Sequence, residues 1–209
     1  MKTGRGVFIT FEGGDGTGKS TNIAYLAERL ETLGFEVVKV REPGGTRISE
    51  NIREMLLSND NAEMVDVAEL FLYEAARAQI VAEVIEPALS HGAVVLCDRF
   101  FDSTTAYQGY GRGLDLDLVK AANLGACQGT VPDRTVVLRL ADGAAAALKR
   151  AAQTGDPDRI ESAGADFHER VADGFLAMAA EEPKRFRVVE LAGIEETAER
   201  VWDAVKDLF

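Results

Sequence analysis

Residues 7–20 read VFITFEGGDGTGKS. The first five residues are a short apolar run rich in β-formers, which predicts a buried strand. Residues 13–20 match the phosphate-binding pattern G-x-x-x-x-G-K-[ST] in full, and residues 20–33 have the apolar spacing of a helix. Glycines let backbone N–H groups wrap a phosphate at a helix N-terminus. We therefore predict a nucleotide site at Gly13, Gly14, Asp15, Gly16, Thr17, Gly18, Lys19, Ser20 and Thr21.

Strand and helix patterns alternate along the rest of the chain. Further strands are predicted at residues 36–40, 93–97, 135–140 and 188–191. Helices are predicted at residues 49–57, 62–91 (kinked at Pro87), 103–108, 117–127, 144–152 and 195–208. No repeat or linker interrupts this pattern. It predicts an α/β fold in one domain, residues 1–209, with a central parallel five-stranded sheet flanked by helices on both faces.

Composition limits the classes of function. Of the 209 residues 46% are apolar and 28% charged, and the net charge is −12. A surface this acidic repels polyanions, so we expect neither nucleic-acid nor membrane binding. Cys97 and Cys127 give no disulfide framework or metal cluster. Both are expected to be buried, reduced thiols of a cytoplasmic protein.

A carboxylate at the end of a predicted strand is a candidate metal ligand beside the phosphate loop. The run Val94-Val95-Leu96-Cys97-Asp98 ends in an acid that would face the same crevice as the loop. We predict that Lys19 reaches the β- and γ-phosphates and that Ser20 and Asp98 hold Mg²⁺. A GTPase should carry an Asn-Lys-x-Asp segment, and the sequence has none. A short chain that begins with this loop and carries arginines at strand ends suits a nucleoside monophosphate kinase.

Several further segments resemble one family. Besides the loop, they are REPGGT (41–46), DRF (98–100), STTAYQG (103–109) and DRIE (158–161). In order and spacing they resemble bacterial thymidylate kinases over nearly the whole chain. The resemblance implies the nucleoside monophosphate kinase fold, ATP as phosphoryl donor, dTMP as acceptor, Mg²⁺ as cofactor and a homodimer. The implied reaction forms dTDP, a step of dTTP synthesis.

The resemblance also implies a dTMP site. Asp15 would face the sugar 3′-hydroxyl, and Arg99 would hold the acceptor phosphate, which a planar guanidinium can do bidentately. Tyr73 would stack on thymine and Arg77 would bond its O4; their four-residue spacing puts them on one helix face. The other residues implied are Arg41, Glu42, Arg53, Ser103, Thr104, Tyr107 and Gln108.

A lid over ATP is expected at about residues 141–170. Thymidylate kinases carry a catalytic arginine either in the phosphate loop or in the lid. Here Gly16 follows Asp15, so the lid must supply the charge, and the candidates are Arg150 and Arg159 with Lys149 as helper. The predicted catalytic residues are Lys19, Asp15, Arg99, Arg150 and Arg159.

Two alternatives stay open at the level of sequence. One is a kinase of another nucleoside monophosphate or of a deoxynucleoside. The other is a regulatory protein that binds a nucleotide and transfers nothing, because relatives with this loop type often carry a further lid arginine that this chain lacks.

Overall fold

A five-stranded parallel sheet organises the protein, as a computed structural model describes it over residues 4–141, 143, 147 and 158–209. The strand order is β2-β3-β1-β4-β5, and every neighbouring pair is parallel. The predicted fold class is therefore confirmed. The strands are β1 (Phe8–Glu12), β2 (Val37–Arg41), β3 (Val94–Asp98), β4 (Arg134–Arg139) and β5 (Phe186–Glu190).

Helices connect these strands. They are α1 (Lys19–Thr32), α2 (Arg47–Leu57), α3 (Asp66–Ile80), α4 (Glu86–Ser90), α5 (Phe101–Thr104), α6 (Leu116–Cys127), α7 (Ala165–Glu181) and α8 (Ile194–Val205). Two π-helical segments, Val81–Ile85 and Thr105–Gly111, extend α3 and α5. Short 3₁₀ turns lie at Asn59–Asn61, Glu161–Ala163 and Lys206–Leu208. Within the described residues, no helix is long and apolar enough to cross a bilayer.

Alternate residues of β1 serve the two faces of the sheet, as the pleat requires. Ile9 and Phe11 belong to a buried cluster that includes Leu26 and Leu30 of α1. Phe8 belongs to a second cluster, with residues 80–89 of the α3–α4 region. Both faces are covered by helices, which explains why β1 is a continuous apolar run rather than an alternating one.

The long helix predicted at residues 62–91 differs from the structure in two ways. It begins at Asp66, because Val65 is extended. It is also not uniform, since the π-helical segment Val81–Ile85 separates α3 from α4. This segment ends two residues before Pro87, which lies in the first turn of α4, where a residue without an N–H is tolerated. The interruption expected at Pro87 is thus a change of hydrogen-bonding pattern within one continuous helical region.

Helix α7 was not predicted. Phe167, Val171, Phe175 and Met178 are all buried in one cluster and recur at helical spacing, so the signal was present in the sequence. Residues 165–170, the end of the segment expected to form a lid, are the start of this helix. The helix predicted at residues 144–152 lies outside the described residues.

Candidate active site

The phosphate loop and the end of β3 meet at one edge of the sheet. β1 lies between β3 and β4, and Phe11 of β1 is in register with Asp98 of β3. The chain leaves β1 into the glycine-rich loop, which ends at the N-terminus of α1. In parallel α/β sheets the carboxyl ends of such strands form the binding crevice. The crevice here therefore contains the loop on one side and Asp98 on the other.

Close packing fixes the conformation of the loop. Gly13 has a φ of 124°, and a Cβ there would lie 2.3 Å from the carbonyl oxygen of Leu138, so only glycine fits. Lys19 Nζ donates to the carbonyl oxygens of Gly14 at 2.9 Å and Gly13 at 3.3 Å. Burial, followed by the charge of Arg99, lowers the pKa of Lys19 to about 8. The lysine is thus held against the loop and poorly solvated, which favours a bound phosphate as its counter-charge.

Ser20 and Asp98 form an oxygen-rich pair beside Lys19. Ser20 Oγ donates to Asp98 Oδ2 at 3.0 Å, and all three residues line one cavity above the loop. Within the described ranges, no group of three His, Cys, Asp or Glu side chains is placed to hold a metal. Mg²⁺ characteristically takes one or two protein oxygens and completes its shell with water and substrate phosphate. This pair fits that donor set.

Arg99 is held in a strained turn immediately after β3. Its φ is 69°, which is rare for a residue other than glycine. The guanidinium donates to Asp15 Oδ1 at 2.6 Å and to the carbonyl oxygen of Gly13 at 3.0 Å, and it lies 5.0 Å from the Tyr107 ring centroid. Burial raises the pKa of Asp15, but Arg99 and Lys19 outweigh it and lower the pKa to about 2. An ionised Asp15 therefore aims Arg99 over the phosphate loop.

Glu12 supports this turn, a role that was not predicted from the sequence. It is fully buried and accepts the Phe100 N–H at 2.7 Å and the Ser103 hydroxyl at 2.5 Å. Burial and the neighbouring charge of Asp102 raise the pKa of the Glu12 carboxyl. The available signal was an acid at the last position of an otherwise apolar buried strand.

The acceptor cavity, as we name the cavity beside Arg99, collects the predicted dTMP residues. All of them except Arg41 line it: Asp15, Glu42, Arg53, Tyr73, Arg77, Arg99, Ser103, Thr104, Tyr107 and Gln108. Arg41 lines the adjoining cavity with Lys19 and Ser20. The two cavities share Asp15, Glu42, Arg53, Arg99 and Glu161. A ligand can therefore extend from the inner wall of the acceptor cavity to the phosphate loop.

Arg77 is a fully paired, buried cation on the inner wall. Its Nε donates to Glu42 Oε2 at 2.8 Å, and its Nη1 donates to Glu74 Oε1 at 2.7 Å and to Asn123 Oδ1 at 3.1 Å. Its Nη2 donates to Thr104 Oγ1 at 3.0 Å and lies 2.8 Å from Glu42 Oε2. The predicted contact with thymine therefore requires Arg77 to share a hydrogen that already has a partner. Glu42 Oε1 has no partner within the described part of the chain.

Arg41 and Arg53 approach the cavities from a common anchor. The guanidinium of each donates to the carbonyl oxygen of Pro43 at 2.9 Å, and Arg41 also pairs with Glu50. Burial and the charge of Arg41 lower the pKa of Arg53. Arg53 lines both cavities and Arg41 lines the one beside the phosphate loop, so two neighbouring guanidinium groups lie near the junction of the cavities.

Arg159 is not at the phosphate loop. Its Nη1 lies 2.6 Å from Glu69 Oε2, and its Nε donates to the carbonyl oxygen of Leu56 at 2.9 Å. The same carboxylate also binds Arg112 and Gln108. In this conformation the Arg159 guanidinium is therefore paired with a buried carboxylate, and its contact with the γ-phosphate stays a prediction. Lys149 and Arg150 lie outside the described residues.

Comparison with known proteins identifies the family. The family model described as thymidylate kinase matches residues 11–201. The chain is 48% identical over 209 residues to a thymidylate kinase of Pelotomaculum thermopropionicum, covering 96% of each chain. It is 50% identical over 205 residues to one of Geobacter sulfurreducens, again covering 96% of each. The chain belongs to the thymidylate kinase family.

A solved structure of the thymidylate kinase family shares this fold. The thymidylate kinase of Ehrlichia chaffeensis superposes with a TM-score of 0.78 at 32% sequence identity, covering 97% of this chain and 99% of that one. The predicted family and the predicted activity, phosphorylation of dTMP, are confirmed by membership of the thymidylate kinase family. The alternatives of a different acceptor or a protein without transfer activity are thereby disfavoured.

Proposed function

We propose that the chain transfers the γ-phosphoryl group of ATP directly to the 5′-phosphate of dTMP, forming dTDP and ADP in a step of dTTP synthesis. The observation that carries this mechanism is the junction of the two cavities at Asp15, Arg53 and Arg99. A monophosphate in the acceptor cavity meets the phosphate loop at this junction. No third group has to carry the phosphoryl group between them.

On the donor side, the loop binds the phosphates of ATP. Residues 13–21 provide backbone N–H groups at the N-terminus of α1, and Lys19 places its charge on the β- and γ-phosphates. Ser20 and Asp98 would hold Mg²⁺, which neutralises charge that develops on the transferring group. When a phosphate binds, the Lys19 ammonium exchanges its neutral partners, the loop carbonyl oxygens, for a negatively charged one.

On the acceptor side, Arg99 holds and aligns the dTMP phosphate. A phosphate oxygen of dTMP is already an anionic nucleophile, so no general base is required. The rate then depends on alignment and on charge neutralisation by Lys19, Arg99 and the metal. Asp15 fixes Arg99 through the 2.6 Å ion pair at Oδ1. Its Oδ2 lies 3.4 Å from the Tyr107 hydroxyl and would accept from the sugar 3′-hydroxyl as well. Arg41 and Arg53 add positive charge where the two phosphates approach each other.

The inner wall of the acceptor cavity receives the thymine base. Tyr73 supplies an aromatic face, and Arg77, Thr104 and Gln108 supply polar atoms for the base edge. Ser103 and Tyr107 complete the wall next to the sugar. Their hydroxyls already contact Glu12 and Asp15, respectively, which limits their rotation and gives the pocket a fixed shape.

We further propose that the chain is one domain whose lid closes over ATP. The proposed lid, at about residues 141–170, runs into the start of α7, whose buried side chains begin at Phe167. Arg150, with Lys149 as helper, remains the proposed source of lid charge. Arg159 contributes only if closure takes it from Glu69 to the γ-phosphate.

We propose a cytoplasmic homodimer that binds neither nucleic acid nor membrane. The dimer proposal is supported by exposed apolar side chains on α2, α3 and α6, namely Ile48, Met55, Val67, Phe71, Leu118 and Leu124. A second copy of the chain would cover them. Both described cysteines are buried free thiols, which suits a reducing compartment.

A panel of acceptors tests the reaction. ADP release from ATP and Mg²⁺ is measured with dTMP, dUMP, dCMP, dGMP, UMP and thymidine offered separately. We expect strong turnover with dTMP and weaker or no turnover with the others. Turnover restricted to another acceptor contradicts the base site but leaves the phosphate site intact, whereas ATP binding without any turnover contradicts both the transfer and the alignment argument.

A further inference from the structure

A single buried carboxylate fixes the direction of the Gln108 side chain. Glu69 of α3 is fully buried, and its Oε1 accepts a hydrogen bond from Gln108 Nε2 at 2.8 Å. Arg112 donates to Glu69 Oε1 at 3.1 Å and to Oε2 at 3.0 Å, and Arg159 lies 2.6 Å from Oε2. Burial raises the pKa of Glu69, but these donors outweigh it and lower the pKa. Glu69 is therefore an ionised acceptor with no hydrogen to donate.

As a consequence, the orientation of the Gln108 side-chain amide is fixed. Because the NH₂ group is bound to Glu69, the carbonyl oxygen is left for the acceptor cavity that Gln108 lines. Rotation of the amide by half a turn would place this oxygen against a carboxylate oxygen at hydrogen-bond distance. That arrangement is repulsive and leaves a buried acceptor without a donor.

We propose that Glu69 is a positioning residue for base specificity, which acts by holding the Gln108 carbonyl oxygen toward the base. This inference rests on the proposed location of thymine at the inner wall. An oxygen at that point accepts the N3–H of a 2,4-dioxopyrimidine. It faces a lone pair at N3 of a 4-aminopyrimidine, so dCMP is rejected by repulsion as well as by a lost hydrogen bond.

The test replaces one carboxylate oxygen of Glu69 by an NH₂ group, which leaves the size of the side chain nearly unchanged. In Glu69→Gln, the amide oxygen takes the place of Oε2, where it still accepts from Arg159 and from Arg112 Nη2. The new NH₂ group then faces Gln108, at the cost of the contact with Arg112 Nε. Gln108 then turns its own oxygen toward this NH₂ group and its NH₂ group toward the base. We expect the ratio of kcat/KM for dTMP to kcat/KM for dCMP to fall roughly 10- to 100-fold, with dCMP gaining in absolute terms.

Two further variants separate the possible causes. Arg112→Gln disturbs the same carboxylate without touching Gln108, and we expect its dTMP to dCMP ratio to equal that of the parent. Gln108→Leu removes the side chain on which Glu69 acts, so adding Glu69→Gln to it should not change the ratio further. An unchanged ratio in Glu69→Gln, together with a lowered ratio in Gln108→Leu, overturns the inference about Glu69 alone. An unchanged ratio in Gln108→Leu shows instead that the base does not lie at Gln108.

A measurement on the parent protein covers the case in which Glu69→Gln does not fold. With ¹⁵N-labelled glutamine, we expect the Gln108 side-chain amide hydrogens to exchange slowly with solvent, with and without dTMP, because the NH₂ group is bound to the buried carboxylate of Glu69. Rapid exchange in both states overturns the proposal.

Discussion

Replacing Arg77 by methionine should destabilise the protein in a way that depends on pH. The side chain is 1% exposed and neutralises Glu42 and Glu74, which are themselves almost fully buried. Methionine approximates the length of the stem but leaves two buried carboxylates without a cation. Removal of one partner of such a buried pair typically costs about 3–5 kcal/mol. For a chain of this length, that corresponds to a fall in Tm of roughly 6–20 °C.

The pH dependence follows from Glu42. Burial raises its pKa to about 7, although Arg77 acts to hold the pKa down. Between its ordinary pKa and 7 the folded state keeps a proton that the unfolded state releases, so this group lowers stability as pH rises through that window. Without Arg77 the pKa of Glu42 moves higher still and the window extends upward. The deficit of Arg77→Met should therefore be smaller at pH 5, where Glu42 is protonated in both variants, than at pH 8.

Urea unfolding at pH 5 and pH 8 measures this deficit. Arg134→Met is the matched control, because Arg134 is also buried but its partner Asp207 is largely exposed. Loss of that pair leaves a carboxylate that water can solvate, so we expect a smaller deficit that does not grow with pH. A deficit below about 1 kcal/mol for Arg77→Met, or an equal one at both pH values, would refute the assignment of Arg77 as the cation that holds the inner wall together.

Three other predictions concern the loop, the Arg99 turn and the apolar helix face. Because the pKa of Lys19 is about 8, kcat/KM for ATP should decline above about pH 8, and Lys19→Arg should move this decline upward; identical pH profiles would contradict it. Asp15→Asn should lose about 2 kcal/mol of unfolding free energy at pH 7, because folding lowers the pKa of the Asp15 carboxyl from 3.8 to about 2. The deficit should shrink as the pH drops through this range. Denaturant titrations at pH 7 and pH 3 check it, and a deficit independent of pH refutes it. Phe71→Glu should give a monomer by sedimentation, and a retained dimer would place the interface elsewhere.

The loop and the sheet could be predicted because each depends on local sequence. The glycine pattern of residues 13–20 has one well-known backbone solution, and five short apolar runs separated by helical patterns permit few topologies. The cavity residues were found through segments whose order and spacing resemble a family. All of them but Arg41 converge at one cavity, which agrees with that placement.

The partners of buried charges could not be predicted in the same way. The sequence shows Arg77 and Arg159 as cations available to a ligand, whereas the structure gives both to buried acids. Glu74 lies three residues from Arg77 on α3, a spacing that the sequence itself shows. Glu42 and Glu69 lie on segments distant in sequence from Arg77 and Arg159, respectively, and only tertiary packing shows that these pairs meet. Glu12 was overlooked for the same reason, since its partners Phe100 and Ser103 lie beyond another strand.

The most direct test of the site is a crystal structure with dTMP and a non-hydrolysable ATP analogue bound with Mg²⁺. The account predicts that the dTMP phosphate accepts hydrogen bonds from the Arg99 guanidinium, while the base lies between Tyr73 and Gln108. The γ-phosphate of the analogue should contact Lys19 on the other side of the junction. A structure with dTMP bound elsewhere, or with its phosphate directed away from Arg99, would contradict the proposed in-line transfer.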